Sequence, residues 1–168
     1  MTIGLYTLTV PVIERILGNL ELILEKGAAY LAQRNLPDSV LLDARLYPDM
    51  FSLTRQVQSV SDISKGAVAR LASIEIPKYE DHEHSFAELN TRLSTTAAFV
   101  RSVDRAAIDA GAERAISIVG RDRTMNFTGL SYLTGFVLPN LYFHSAISYA
   151  ILRHNGVEVG KRDFLGAL

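Results

Sequence analysis

The stretch at residues 131–156, SYLTGFVLPNLYFHSAISYAILRHNG, limits the fold more than any other part of the chain. Leu133, Val137, Ile147 and Ile151 recur at helical spacing, so one stripe of a long helix faces a core. Asn140 and His144 fall on that same stripe, one turn apart. Pro139 removes a backbone donor inside the helix and predicts a kink over residues 135–140. Asn155-Gly156 supplies the stop. A buried imidazole and amide need hydrogen-bond partners, so a site on this chain is sought first around these two residues.

Three further amphipathic helices precede it. Tyr6, Val10, Ile13, Leu17, Leu20, Leu24, Ala28 and Leu31 step by three and four, predicting a helix over 6–34. Pro11 places its regular start near Thr9, and Asn35 is its stop. A short helical turn is expected at 39–44. Tyr47-Pro48-Asp49 then opens a second helix, with Asp49 in the first turn and Met50, Leu53, Val57, Val60, Ser64, Ala67 and Leu71 on one stripe. Gln56 borders that seam, whereas Arg55 and Gln58 point elsewhere. The linker 74–84 contains Pro77 and the acidic run Glu80-Asp81-His82-Glu83-His84. Ser85-Phe86-Ala87-Glu88 has capping-box spacing and begins a third helix through Leu89, Leu93, Ala97, Val100 and Val103. From 115 to 127 the period becomes two, which reads as a hairpin turning at residues 120–123. Such a hairpin is marginal alone and must lie on a helix surface. Phe164 and Leu165 in the tail 161–168 have apolar area to bury, against the bundle or a partner subunit. The predicted fold is an all-α up-and-down four-helix bundle, with a β-hairpin between the third and fourth helices.

The totals exclude several functions. A chain of 168 residues fits one domain. A net charge of −1 creates no field to gather nucleic acid, and no basic stripe or recognition helix stands out. The absence of cysteine removes disulfides, thiolate ligands and a cysteine nucleophile, and suits a reducing cytoplasm. No secretory signal is legible at the start of the chain. No apolar run reaches the roughly 18–20 residues that span a bilayer. A cytoplasmic protein is expected, with neither nucleic acid nor membrane as a partner. Phosphate-cradling glycine loops, nucleophile elbows and telling carboxylate pairs are missing.

The chain resembles a bacterial domain-of-unknown-function family of the DinB/YfiT-like superfamily. The resemblance is carried by Pro48-Asp49-Met50-Phe51, Leu53-Thr54-Arg55-Gln56-Val57-Gln58, Phe127-Thr128-Gly129, Leu138-Pro139-Asn140, Tyr142-Phe143-His144 and Leu152-Arg153-His154-Asn155-Gly156-Val157. It implies a four-helix bundle, frequently dimeric. In many such proteins three histidines hold a divalent metal, one from the second helix and two, four residues apart, from the last. Some relatives are thiol-cofactor-dependent transferases or isomerases. His144 matches the later histidine of the last helix. Asn140 stands where the earlier one belongs, and the second helix offers Arg55, Gln56 and Gln58 instead of histidine.

The candidate ligand-binding residues are therefore His144, Asn140, Gln56, Arg55, Asp49 and Tyr142, with no metal ligand and no cofactor expected. His144, Asn140 and Gln56 make either a polar network that sets bundle register or the polar wall of a small-molecule pocket. One imidazole with amides is a poor set for zinc, nickel or iron. Arg55 binds an anion, pairs with Asp49 or Asp62, or stays solvated. His82 and His84 read as solvated loop histidines, and His154 as a charge at a helix C-terminus. Three functions stay open: a metal-free small-molecule-binding protein, a transferase-type enzyme using His144 as general base or ligand, and a homodimeric interaction protein.

Overall fold

The computed structural model describes residues 3–120 and 122–166. Four long helical segments pack together: α1 (Leu5–Ala32), α3 (Leu53–Ala72), α4 (Phe86–Ser102) and the last segment, ending in α7 (Leu138–His154). Short helices α2 (Ser39–Leu42), α5 (Arg105–Asp109), α6 (Gly129–Tyr132) and α8 (Lys161–Leu165) join or flank them. Helix α3 lies between α7 and α4, and α4 also packs on α1. Ile13, Leu17, Leu24, Leu53, Val57, Val60, Leu89, Leu93, Leu141 and Ile151 fill the core. Among the described residues no helix is long and apolar enough to cross a membrane.

Helix α1 begins at Leu5, earlier than the expected Thr9, and continues through Pro11. The Asp109 carboxylate accepts from Tyr6 N–H at 2.8 Å, satisfying one of the donors that a helix start leaves open. A Cβ on Gly4 would come within 2.3 Å of the same carboxylate, so a larger residue there would push Asp109 off this position.

Helix α3 begins later than expected. Ser52 is its N-cap, accepting from Arg55 N–H at 3.5 Å. Asp49 lies outside the helix, exposed, in the turn where Met50 N–H donates to Tyr47 C=O at 3.0 Å. The expected first-turn position of Asp49 is thereby corrected. The Ser85 cap is present: its hydroxyl accepts from Glu88 N–H at 3.2 Å. Glu88 accepts in turn from His84 N–H at 2.6 Å, one residue earlier than a standard capping box.

The hairpin pairs β1 (Ile116–Val119) with β2 (Thr124–Phe127), Ile116 opposite Phe127. Phe127 sets its ring 6.0 Å from Tyr132 and 5.9 Å from Phe136, which seats the hairpin on the last helical segment. Arg121, in the expected turn, lies outside the described residues. The kink expected at Pro139 takes the form of a π turn over Leu133–Val137, with Leu138 N–H bonded to Leu133 C=O. The wider turn shifts the hydrogen-bond ladder just before the residue that cannot donate.

Beyond α7, Gly156 adopts φ 92°, and Val157 and Val159 are buried. Helix α8 is tied to α1 by Lys26–Asp163 at 2.7 Å and by Asn19 donating to Phe164 C=O at 3.0 Å. Phe164 packs on Tyr149, while Leu165 remains 38% exposed on this single chain. Ala167 and Leu168 of the expected tail lie outside the described residues.

Candidate functional site

The start of α3 faces the middle of α7, and there Gln56 meets His144. Gln56 is buried, and its Oε1 lies 2.7 Å from His144 Nδ1. Its Nε2 donates to Phe51 C=O at 3.3 Å. A carbonyl only accepts, so the amide must turn its NH2 toward Phe51 and its oxygen toward the imidazole. Nδ1 of His144 then carries the proton, and the lone pair stands on Nε2. Burial first, and the nearby Arg55 charge second, push the imidazole below its ordinary 6.5. At neutral pH His144 is thus an uncharged acceptor held in one tautomer.

Two aromatic rings frame it. Phe51 stacks on the imidazole at 6.3 Å with planes 14° apart, and Phe143 meets it edge-on at 5.2 Å and 84°. Both phenylalanines are about half exposed, at 48% and 54%, and His144 itself is partly exposed. Arg55 sits 5.7 Å from the centre of the Phe51 ring. The arrangement offers a planar apolar surface, one neutral nitrogen acceptor and one cation.

Of the six expected site residues, Gln56 and His144 are joined directly, and Arg55 adjoins them through Phe51. Asn140 does not join the pair: its Nδ2 donates to Phe136 C=O at 2.7 Å, in the turn that Pro139 disturbs. Tyr142 is exposed, and two residues from His144 it is turned about 200° around the helix axis. Asp49 stays in its exposed turn. Arg55 is neither solvated alone nor paired with Asp49 or Asp62, because its guanidinium bonds Asp81 and reaches Gln58 Oε1 at 3.3 Å.

A second polar cluster lies on the other side of α3. Arg92 of α4 has a side chain only 2% exposed, bonded to Glu83 at 2.8 Å and to Asp62 and Asp81 at 3.0 Å each. It also donates to Glu80 C=O at 3.0 Å. Gln58 is buried and donates to Glu83 at 2.8 Å. Lys65 reaches Asp62 at 3.0 Å and Pro77 C=O at 2.8 Å, with its ammonium 4.3 Å from the Tyr79 ring centre. The linker expected to be a solvated acidic loop is therefore strapped to the bundle, although His82 and His84 do remain exposed. Burial works to raise the Glu83 carboxyl, but hydrogen bonds from Arg92 and Gln58 outweigh it and hold the group below its ordinary 4.5.

Arg92, Lys65, Glu83, Phe51 and Phe143 are absent from the six candidate ligand-binding residues. One signal for them was available. Arg92 sits three residues after Leu89 and four before Thr96, on the buried side of α4, while Gln58 and Lys65 are seven apart on α3. Nothing local in the sequence marks Phe51 and Phe143 as partners of one imidazole.

Clefts of about 390, 310 and 480 Å³ lie elsewhere, lined respectively by residues such as Tyr30 and Arg34, His82 and Arg92, and Lys65 and Pro77. His144 lines none of these three. The three-histidine metal set of the superfamily does not fit either. His144 is the one imidazole here, the Gln56 oxygen accepts from it, and the Asn140 amide is hooked onto its own helix. Among the described residues no three His, Cys, Asp or Glu side chains converge as a metal set would need.

Comparison with known proteins agrees with the fold. A crystal structure described as a DinB family member protein from Shewanella denitrificans superposes with a TM-score of 0.88 at 39% identity. The match covers 98% of this chain and 93% of that one. No curated protein matches. Residues 5–165 match the family described as Domain of unknown function (DUF1993), and the chain belongs to that family, with a DinB-like fold.

Proposed function

We propose that this protein binds a small molecule without a metal, and that the ligand meets His144 between Phe51 and Phe143. The observation that carries the proposal is the fixed imidazole. Gln56 occupies Nδ1–H at 2.7 Å, which leaves Nε2 as an acceptor beside two half-exposed rings. Binding sites combine apolar walls with a few placed polar groups, and here Gln56, Phe143 and His144 stand on helices while Phe51 lies just before the start of α3. A fragment screen by thermal shift and NMR tests it. Ligands should raise the midpoint of the wild type and shift His144 and Phe51 resonances, and His144→Ala should abolish the midpoint rise and the Phe51 shift. A wild type that binds nothing, with a variant that only loses stability, would leave His144 as a structural network.

A transferase-type enzyme is the second reading, favoured by one feature: an imidazole kept neutral at pH 7 is competent as a general base at Nε2. Activity lost in His144→Gln with ligand affinity retained would select it over simple binding. A cytoplasmic homodimer completes the proposal. Leu8 and Leu22, exposed on the outer face of α1, suit contact with a second copy, and light scattering at micromolar concentration decides the point.

A further inference from the structure

We infer that the ligand of the His144 site carries an anionic group, a carboxylate or a phosphate, which Arg55 takes in exchange for Asp81. This rests on the reading of His144 as a binding site and names the class of its ligand.

Arg55 and His144 both lie against Phe51, the guanidinium 5.7 Å and the imidazole 6.3 Å from its ring centre. A planar ligand on the exposed part of that ring is within reach of both. The two groups ask for opposite things. Nε2 of the neutral imidazole accepts and so prefers a hydroxyl or N–H. A guanidinium only donates and is suited to the paired oxygens of a carboxylate or phosphate.

Arg55 holds two partners, the Gln58 amide oxygen at 3.3 Å and Asp81, and it is Asp81 that a ligand would replace. The Arg55 and Asp81 side chains are 44% and 41% exposed, so their ion pair sits in a high dielectric and is weak. Asp81 has a second partner as well, Arg92 at 3.0 Å. When Arg55 moves to a ligand, Asp81 keeps Arg92 and no charge is stranded, so the usual penalty for breaking a pair is avoided. Asp81 thus acts as a resident carboxylate standing in for that of the ligand.

Titration of the His144 and Phe51 ring resonances by ¹H–¹³C NMR tests this, with benzoate and phenyl phosphate as anionic probes and benzamide as the neutral one. Both anions should shift the two residues saturably, with benzamide weaker by about tenfold. Arg55→Gln should erase that preference, and Asp81→Asn should tighten anion binding several-fold by removing the competitor. Thermal midpoints of both variants should stay near wild type, which separates lost binding from lost fold. Equal binding of benzamide, or a preference that survives Arg55→Gln, would overturn the anion assignment while leaving His144 a site for neutral ligands. Failure of both anions to move His144 overturns it too, and the fragment screen then judges the His144 site by itself.

Discussion

Helix α3 carries a polar cluster on each side, and the two are built on opposite plans. On the linker side, Arg92 is sealed from solvent and ringed by Glu83, Asp62, Asp81 and a backbone carbonyl. On the α7 side, His144 makes one hydrogen bond, keeps one nitrogen over, and opens to solvent between two aromatic rings. Dense mutual bonding suits a strap, because a buried charge is tolerable only when its partners are in place. A preorganised acceptor with capacity left suits a ligand. The strap is not perfect, since Arg92 Nε is buried without a partner. The contrast supports a structural role for the first cluster and the recognition role proposed for the second.

The largest effect expected is at the strap. Arg92→Leu leaves Glu83, Asp62 and Asp81 together without their central cation and should cost about 3–5 kcal/mol, read from the urea midpoint. A loss below 1 kcal/mol would break the comparison. At the other cluster, Gln56→Ala strips the partner from His144 Nδ1–H and should cost about 1–3 kcal/mol. It should also weaken any ligand of His144, whereas Arg92→Leu, at matched temperature below its midpoint, should leave the binding of a neutral ligand there unchanged.

The two clusters should separate along the pH axis. His144 titrates below its ordinary 6.5 in the folded state, so the unfolded chain takes up its proton first as pH falls. The stability it contributes is complete above about pH 6.5 and declines from there toward the depressed native value. Glu83 is likewise held below 4.5, so its contribution persists until pH drops under that value. His144→Gln should flatten the first decline and Glu83→Gln the second. The smallest effect is expected for Asp81→Asn, about 0–1 kcal/mol, because its pair with Arg55 is exposed and Arg92 retains other acids.

Helical periodicity made the bundle legible, and the switch to period two marked the hairpin. Gln56 and His144 were legible as a pair because each lies on or beside a buried stripe. Asn140 shares the stripe of His144 but serves its own helix. Its role depends on the π turn before Pro139, which spacing alone does not reveal. Asp49 misleads because Pro48-Asp49 has the chemistry of a helix start, while Ser52 caps better three residues later. The strap was hidden for a different reason. Its acids come from a linker whose composition reads as solvated, and only the third dimension brings them onto Arg92.

In the proposed site Gln56 holds His144 so that its Nε2 lone pair is available to a ligand. Long-range ¹H–¹⁵N correlation of the His144 ring near pH 7.5 tests this most directly. The wild type should show a protonated Nδ1 and an unprotonated Nε2, with the two forms mixing in Gln56→Ala. A wild-type ring protonated on Nε2, or one averaging between both nitrogens, would contradict it.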